Sequence, residues 1–103
     1  MTEDDLKLLR EAIAAFGREH QLMKTVEELG ELSSALCRHM ENEGSRLHVA
    51  EEMADVEIML EQLKMMLHNE DMVASFRRLK LNRLAARVEQ KKTGVWLGRE
   101  GAQ

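Results

Sequence analysis

Two short stretches of the sequence concentrate carboxylates at helical spacing. The first, EELGE, contains Glu27, Glu28 and Glu31, and the second, EMAD, contains Glu52 and Asp55. Residues three apart lie on the same face of an α-helix, so each stretch presents a pair of acidic side chains. Carboxylate oxygens are the ligands that Mg²⁺ and Mn²⁺ prefer in proteins. The two pairs are therefore candidate ligands for a divalent cation.

The apolar pattern predicts where these carboxylates lie on their helices. At 100° per residue, Glu28 and Glu31 lie at the edge of the apolar stripe of their helix. Glu52 and Asp55 lie at the edge of the stripe of the next helix. The two predicted core stripes are Leu29, Leu32 and Leu36 on the first of these helices, and Val49, Met53, Val56, Leu60, Leu63 and Leu67 on the second.

The register of the hairpin brings the two acidic pairs together. The turn ENEGS is centred near residues 43–44, which puts the pairs at the same level within about one helical turn. Two unit charges 4 Å apart repel by about 4 kcal/mol at an effective dielectric constant of 20. Protonation, basic side chains or a bound cation must therefore offset this repulsion. The alternative is a pair of solvated helix flanks in which Lys24 pairs with Glu28. A di-iron centre is not expected, because it requires Glu-x-x-His on two helices.

The elements that must position these residues are all helical. Good helix formers dominate, and no long alternation indicates a strand. The first predicted helix ends at Phe16. The other three cover residues 18–42, 46–68 and 70–91. Their predicted N-caps are Thr2 (in a capping box with Asp5), Ser45 and Asn69, and their predicted stops are Gly17 and Gly44. Because short connections make consecutive helices antiparallel, we expect a four-helix bundle over residues 1–92 and a glycine-containing tail over 93–103.

Composition favours a single small cytoplasmic domain that self-associates. The chain has 103 residues, one cysteine and no apolar run of the length of a membrane span. Its acidic N-terminus does not resemble a signal peptide, so we expect a soluble protein with no membrane partner. A stripe of small residues can serve an intrachain contact or a subunit interface, and the latter favours a homodimer or a dimer of dimers. The stripe consists of Gly30, Ser33, Ser34 and Cys37.

Charge is distributed unevenly along the chain. Residues 1–71 contain 7 Lys and Arg against 17 Asp and Glu, whereas residues 72–103 contain 8 against 2. In the last helix, Lys80, Arg83 and Arg87 share one face, where they could bind phosphate groups or pair with the acidic body. Sequence-specific nucleic-acid binding is not expected, because the body is acidic and no recognition motif is present.

The order and spacing of the acidic residues resemble a known signature. Glu27-Glu28-Leu29-Gly30-Glu31 followed by Glu52-Met53-Ala54-Asp55 resembles the E-E-x-x-E … E-x-x-D pattern of the MazG-like all-α nucleoside triphosphate pyrophosphohydrolases, and the likeness covers roughly residues 6–90. The resemblance implies Mg²⁺-dependent hydrolysis of a (d)NTP to a monophosphate and pyrophosphate, with Mn²⁺ as a substitute ion. The related phosphoribosyl-ATP pyrophosphohydrolases are the less favoured of the two families that the resemblance suggests.

Carried over by position, the resemblance also assigns roles. It implies that the metal ligands are Glu28, Glu31, Glu52 and Asp55. Glu27 would orient or deprotonate water, and Lys24 would face the phosphates. Phe16 precedes the motif helix as family aromatics near the nucleotide do, although it could instead be a core residue. Trp96 could stack on a base or instead anchor the C-terminal tail. The rival function is a non-catalytic helical-bundle module that binds a nucleotide or a protein partner.

Overall fold

The computed structural model describes residues 1–94, which form four α-helices and no strand. They are α1 (Glu3–Phe16), α2 (Arg18–Met40), α3 (Arg46–Leu67) and α4 (Glu70–Thr93). The prediction of an all-α fold with four helices is confirmed, and the predicted helix ends differ from these by two residues or fewer. Thr93, assigned by prediction to the tail, is the last residue of α4. The rest of that tail beyond Gly94, including Trp96, lies outside the described residues.

The helix ends follow from local capping chemistry. The Thr2 hydroxyl accepts a hydrogen bond from the Asp5 backbone N–H at 3.1 Å, and the Asp5 carboxylate accepts one from the Thr2 N–H at 3.0 Å. These bonds, led by the one from the Thr2 backbone, lower the pKa of the Asp5 carboxyl. Gly17 ends α1 with a φ of 95°. The Ser45 hydroxyl caps α3 by accepting a hydrogen bond from the His48 N–H at 3.0 Å.

Two predicted caps differ in detail from the structure. Between α2 and α3 the positive φ falls on Asn42, at 61°, and not on Gly44. Asn tolerates this left-handed conformation better than most residues with a side chain. Asn69 occupies the N-cap position of α4, but its side chain makes no capping hydrogen bond. The helix boundaries are therefore predicted to within two residues, although Asn42 and not Gly44 adopts the left-handed conformation after α2.

The chain comprises two compact units. The first, Met1–His68, contains α1, α2 and α3, and the second begins at Asn69 and contains α4. In the first unit α2 and α3 form an antiparallel hairpin, and α1 packs against both of its helices. In α4 none of the described residues is buried. No helix within residues 1–94 combines the length and the apolar character needed to cross a lipid bilayer.

The core of the first unit contains as many polar as apolar residues. The buried residues are Leu9, Ala35, Val56, Met59 and Met66, together with Gln21, Thr25, Glu28, Glu52 and Gln62. Of the predicted core stripes, Val56 is buried as expected, and Leu32, Val49 and Leu63 are half-buried. The prediction is wrong for five residues that are 42–52% exposed, namely Leu29, Leu36, Met53, Leu60 and Leu67. The facing helices are rotated so that Glu28 and Glu52 are buried, whereas most of the leucine stripe is exposed.

Candidate metal centre

Three glutamates from the facing helices α2 and α3 meet in the first unit. Glu28 and Glu31 on α2 and Glu52 on α3 each place one carboxylate oxygen within 4.8 Å of the other two. We refer to these three residues as the acidic cluster. The convergence expected from the hairpin register is therefore present for three of the four predicted metal ligands. Asp55, one turn further along α3, is exposed and lies outside this group.

Burial makes the acidic cluster costly without a counter-ion. Glu28 and Glu52 are only 7% and 9% exposed, whereas Glu31 is exposed. The Oε2 atoms of Glu28 and Glu52 are buried and make no hydrogen bond. Leaving a buried polar atom unsatisfied costs about 1–3 kcal/mol, and more for a charged group. A divalent cation would supply the missing interaction to both oxygens, so the residues fit an oxygen-ligated metal such as Mg²⁺.

Lys24 provides one positive charge at the edge of the acidic cluster. Its Nζ atom lies 3.4 Å from Glu28 Oε1 and 3.7 Å from Glu27 Oε2. The hydrogen bond that the Lys24 ammonium donates to Glu28, together with the negative charges of Glu28 and Glu27, raises the pKa of Lys24. The ion pair between Lys24 and Glu28, which the alternative of salt-bridged helix flanks predicts, is therefore present. It engages Oε1 of Glu28 and leaves Oε2 without a partner.

Glu27 lies beside this ion pair and not inside the acidic cluster. Its side chain is 58% exposed, and Lys24 contacts its Oε2 atom. An exposed carboxylate one residue before a buried candidate ligand can reach a water molecule without being a ligand itself. This position is compatible with the role in handling water that the family resemblance implies.

His48 and a layer of buried polar residues were missed by sequence reasoning. His48 Nε2 lies 3.8 Å from Glu52 Oε1, and Nδ1 lies 4.0 Å from Glu51 Oε1. In the buried layer, the Gln21 amide donates a hydrogen bond to Gln62 Oε1 at 2.8 Å. Thr25 donates its hydroxyl to the Gln21 carbonyl at 2.9 Å. The available signals were the spacing of His48 four residues before Glu52, and the shared face of Gln21, Thr25 and Glu28.

Phe16 lies at the surface, where α1 ends. It is 63% exposed, so the alternative of a core residue is wrong. Its ring stacks on the His20 imidazole, with ring centroids 5.5 Å apart and planes inclined by 26°. The His20 Nδ1 atom is 2.7 Å from Gln21 Oε1. The exposed aromatic pair is thereby linked to the buried polar layer, and its rings remain available for stacking.

The predicted phosphate-binding cations of α4 belong to the second unit. Lys80 and Arg87 are exposed, and Arg83 is half-buried. Lys80 borders an open cavity of about 500 Å³ whose other lining residues are Val73, Phe76, Arg77, Leu81 and Leu84. Arg87 borders a second open cavity of about 440 Å³, shared with Lys91 and Lys92. The face that carries these cations therefore combines positive charge with exposed apolar side chains.

Comparison with protein-family models, with curated proteins and with solved structures gives no match to this chain.

Proposed function

We propose that the protein is a Mg²⁺-dependent nucleoside triphosphate pyrophosphohydrolase of the MazG-like type. The observation that carries the proposal is the pair of buried carboxylate oxygens, Glu28 Oε2 and Glu52 Oε2, that have no hydrogen-bond partner. They come from two facing helices and share a cluster with Glu31. The order of the acidic residues along the chain, which resembles the family signature, supports the same function.

Each residue has a defined task in this reaction. Glu28, Glu31 and Glu52 would hold Mg²⁺, and Asp55 would join them when its side chain turns towards the acidic cluster. When bound, Mg²⁺ would neutralise phosphate charge and lower the pKa of coordinated water. Glu27 orients the attacking water and accepts its proton. The water oxygen bonds to one of the two phosphorus atoms of the α–β phosphoanhydride as that bond breaks. The products are a nucleoside monophosphate and pyrophosphate.

Basic and aromatic side chains would bind the rest of the substrate. Lys24 lies within 4 Å of two carboxylates of the motif, so it can exchange one of these contacts for a phosphate oxygen. Considered within the second unit alone, Lys80, Arg83 and Arg87 on α4 have the spacing of a face that could bind phosphate groups. The exposed ring of Phe16, stacked on His20, offers a surface for a nucleobase.

We also propose that the chain forms a homodimer or a dimer of dimers. Leu29, Leu36 and Leu60 are 42–47% exposed in the single chain, although they continue the apolar pattern of α2 and α3. At Gly30 an added Cβ atom would meet no neighbour within 4 Å. A second copy could therefore approach α2 closely and cover the leucines. Burial of apolar surface stabilises by about 25 cal/mol per Å².

The proposed activity is tested with a panel of canonical and modified (d)NTPs in the presence of Mg²⁺. Pyrophosphate and orthophosphate release are measured separately, because only cleavage between the α- and β-phosphates yields pyrophosphate. We expect pyrophosphate release by the wild-type chain and a loss of at least 100-fold in Glu28→Gln. An exposed-site control, Glu57→Gln, should retain activity. Absence of pyrophosphate release with every substrate, or equal release by Glu28→Gln, would refute the proposal.

A non-catalytic binding module is the second candidate function. The exposed position of Asp55 favours it, because one of the four predicted ligands is not assembled with the others. The apolar and basic surface of α4 also suits a nucleotide or protein partner. Tight binding of a non-hydrolysable triphosphate without turnover of the corresponding (d)NTP would support this function over hydrolysis.

A further inference from the structure

We propose that the homodimer forms by antiparallel packing of α2 against α2 of a second copy, with the two-fold axis passing between Glu31 and Leu32. This inference rests on the self-association of the proposed function, and it specifies the face and the direction of the contact. It does not require that the protein hydrolyse nucleotides.

The contact face is a row of residues that repeats along α2 at alternating spacings of three and four. This alternation is the spacing with which one helix packs along another over several turns. At 100° per residue the row lies roughly 150° round the helix from the buried residues Gln21, Thr25, Glu28 and Ala35. We call it the α2 row, and its six members, all exposed, are Met23, Val26, Gly30, Ser33, Cys37 and Met40.

The two ends of the α2 row carry large apolar side chains, and its middle carries small ones. Met23, Val26 and Met40 are 61%, 63% and 73% exposed. Glycine is less favourable than alanine in a helix interior, and at Gly30 an added Cβ atom would meet no neighbour within 4 Å. The described part of the chain therefore gives no reason for glycine at this position. A second helix that crosses α2 here would give one.

The side-chain sizes along the α2 row have the same order in both directions. In an antiparallel pair centred between residues 31 and 32, each member of the row lies opposite a residue of its own size class. Small residues then meet at the crossing point, where the helices approach most closely. Beside the row, Leu29 faces Leu36 of the second copy, and these leucines are 46% and 47% exposed. The facing pairs of the row are Gly30 with Ser33, Val26 with Cys37, and Met23 with Met40.

Charges on the other flank of the row favour the antiparallel direction. Glu27 lies within about 3 Å, along the helix axis, of the level of Arg38 of the second copy. The same offset relates Glu41 to His20 of the second copy, and all four side chains are exposed. Opposite charges across a contact select its orientation more than they add affinity. Glu31, next to the two-fold axis, lies roughly 130° round the helix from the row, so the contact leaves the acidic cluster uncovered.

The test is disulfide cross-linking to Cys37. Val26→Cys places a new thiol opposite Cys37 of the second copy, where closely packed helices allow the Cα–Cα distance of about 4.4–6.8 Å that a disulfide needs. Positions 26 and 37 of one chain are about 16 Å apart along α2, so the bond must join two copies. Under mild oxidation, non-reducing electrophoresis should show at least half of Val26→Cys as a covalent dimer that dithiothreitol reverses. The wild type should give none, because its two Cys37 thiols would also be about 16 Å apart along the axis.

Three variants control this experiment. Val26→Cys/Cys37→Ser should give no covalent dimer, because the new thiol has no partner thiol within reach. Glu57→Cys adds an exposed thiol to α3, away from the contact, and should not cross-link either. Gly30→Gln should weaken dimerisation in light scattering by at least 10-fold, because its side chain fills the crossing point. Its helical content in circular dichroism should not fall, since glutamine favours a helix more than glycine does.

The inference is overturned if the wild type is a dimer in light scattering but Val26→Cys does not cross-link, because the dimer then uses another face. A wild type that cross-links through Cys37 also overturns it, since that bond requires parallel helices. Dimerisation of Gly30→Gln equal to that of the wild type has the same effect. Failure of the proposed enzyme is distinguishable from these results. Cross-linking of Val26→Cys supports the inference even when no pyrophosphate is released, and pyrophosphate release without cross-linking supports the enzyme and refutes the inference.

Discussion

Replacement of Glu52 by Gln separates repulsion within the acidic cluster from its capacity to hold an ion. The change removes one charge and keeps the shape of a side chain that is 9% exposed. Two unit charges at the 4.8 Å limit of the cluster repel by about 3.5 kcal/mol at an effective dielectric constant of 20. Solvent screens the exposed Glu31, and Lys24 partly neutralises Glu28. We therefore expect relief of roughly 2 kcal/mol.

The assay is thermal unfolding with and without metal. For a domain of this size, 1 kcal/mol shifts Tm by about 4–8 °C, so Glu52→Gln should melt about 10 °C above the wild type in chelator. Mg²⁺ at about 100 times its Kd should add about 2.7 kcal/mol to the wild type. The variant should gain little from Mg²⁺, because it has lost a ligand. The advantage of the variant should therefore disappear when Mg²⁺ is present.

Glu57→Gln is the matched control, because it removes an exposed carboxylate from the same helix. It should change Tm little in chelator and respond to Mg²⁺ as the wild type does. A lower Tm of Glu52→Gln in chelator would show that the charge is already compensated in the folded chain. An Mg²⁺ response equal to that of the wild type would remove Glu52 from the metal centre. Either result would refute the reasoning from the unpartnered carboxylate oxygens.

Four further predictions address the other residues. Glu27→Gln should keep the Mg²⁺-dependent rise in Tm, but its rate of pyrophosphate release should fall by at least 100-fold. If the variant loses the rise in Tm as well, Glu27 is a metal ligand. Glu28→Gln should lose the Mg²⁺ response in the same melting assay, and Asp55→Asn should lose only part of it, because Asp55 binds the ion only after its side chain turns towards the acidic cluster. Leu36→Lys should convert a dimer to a monomer in light scattering, and a monomeric wild type at tens of micromolar would contradict this. Lys24→Met should lower stability to urea below pH 10.5, because the raised pKa of Lys24 stabilises the fold there; the difference from wild type should shrink as pH rises through the folded-state pKa.

Local sequence signals predicted the elements because their causes are local. The Thr2–Asp5 capping box and the Ser45 cap depend on residues three apart, and both are present. The meeting of Glu28 and Glu52 was also predictable, because a short turn fixes the level at which two antiparallel helices face each other. The same register argument and the resemblance both placed Asp55 with them, but the geometry of the single chain does not assemble it with the other carboxylates.

The rotation of the helices could not be read from hydrophobicity. The leucine stripe of α2 predicted one buried face, but Leu29 and Leu36 are exposed while Thr25 and Ala35 are buried. An apolar pattern identifies a face that needs cover, but it does not say whether the same chain or another molecule provides that cover. The buried face instead depends on contacts such as Gln21 with Gln62, which are 41 residues apart. No spacing rule within one helix could reveal that pair.

The Gln21–Gln62 hydrogen bond fixes the register of the α2–α3 hairpin. A slip of α3 along α2 by one helical turn, 5.4 Å, would separate the two amides and carry Glu52 away from Glu28. Two buried amides without partners would cost about 2–6 kcal/mol, which limits slipped hairpins to a few per cent of the population or less. The Gln21–Gln62 hydrogen bond would thereby set the distance between the carboxylates of Glu28 and Glu52, although neither glutamine takes part in the reaction. Substitutions at Gln62 should therefore alter metal affinity without changing a ligand.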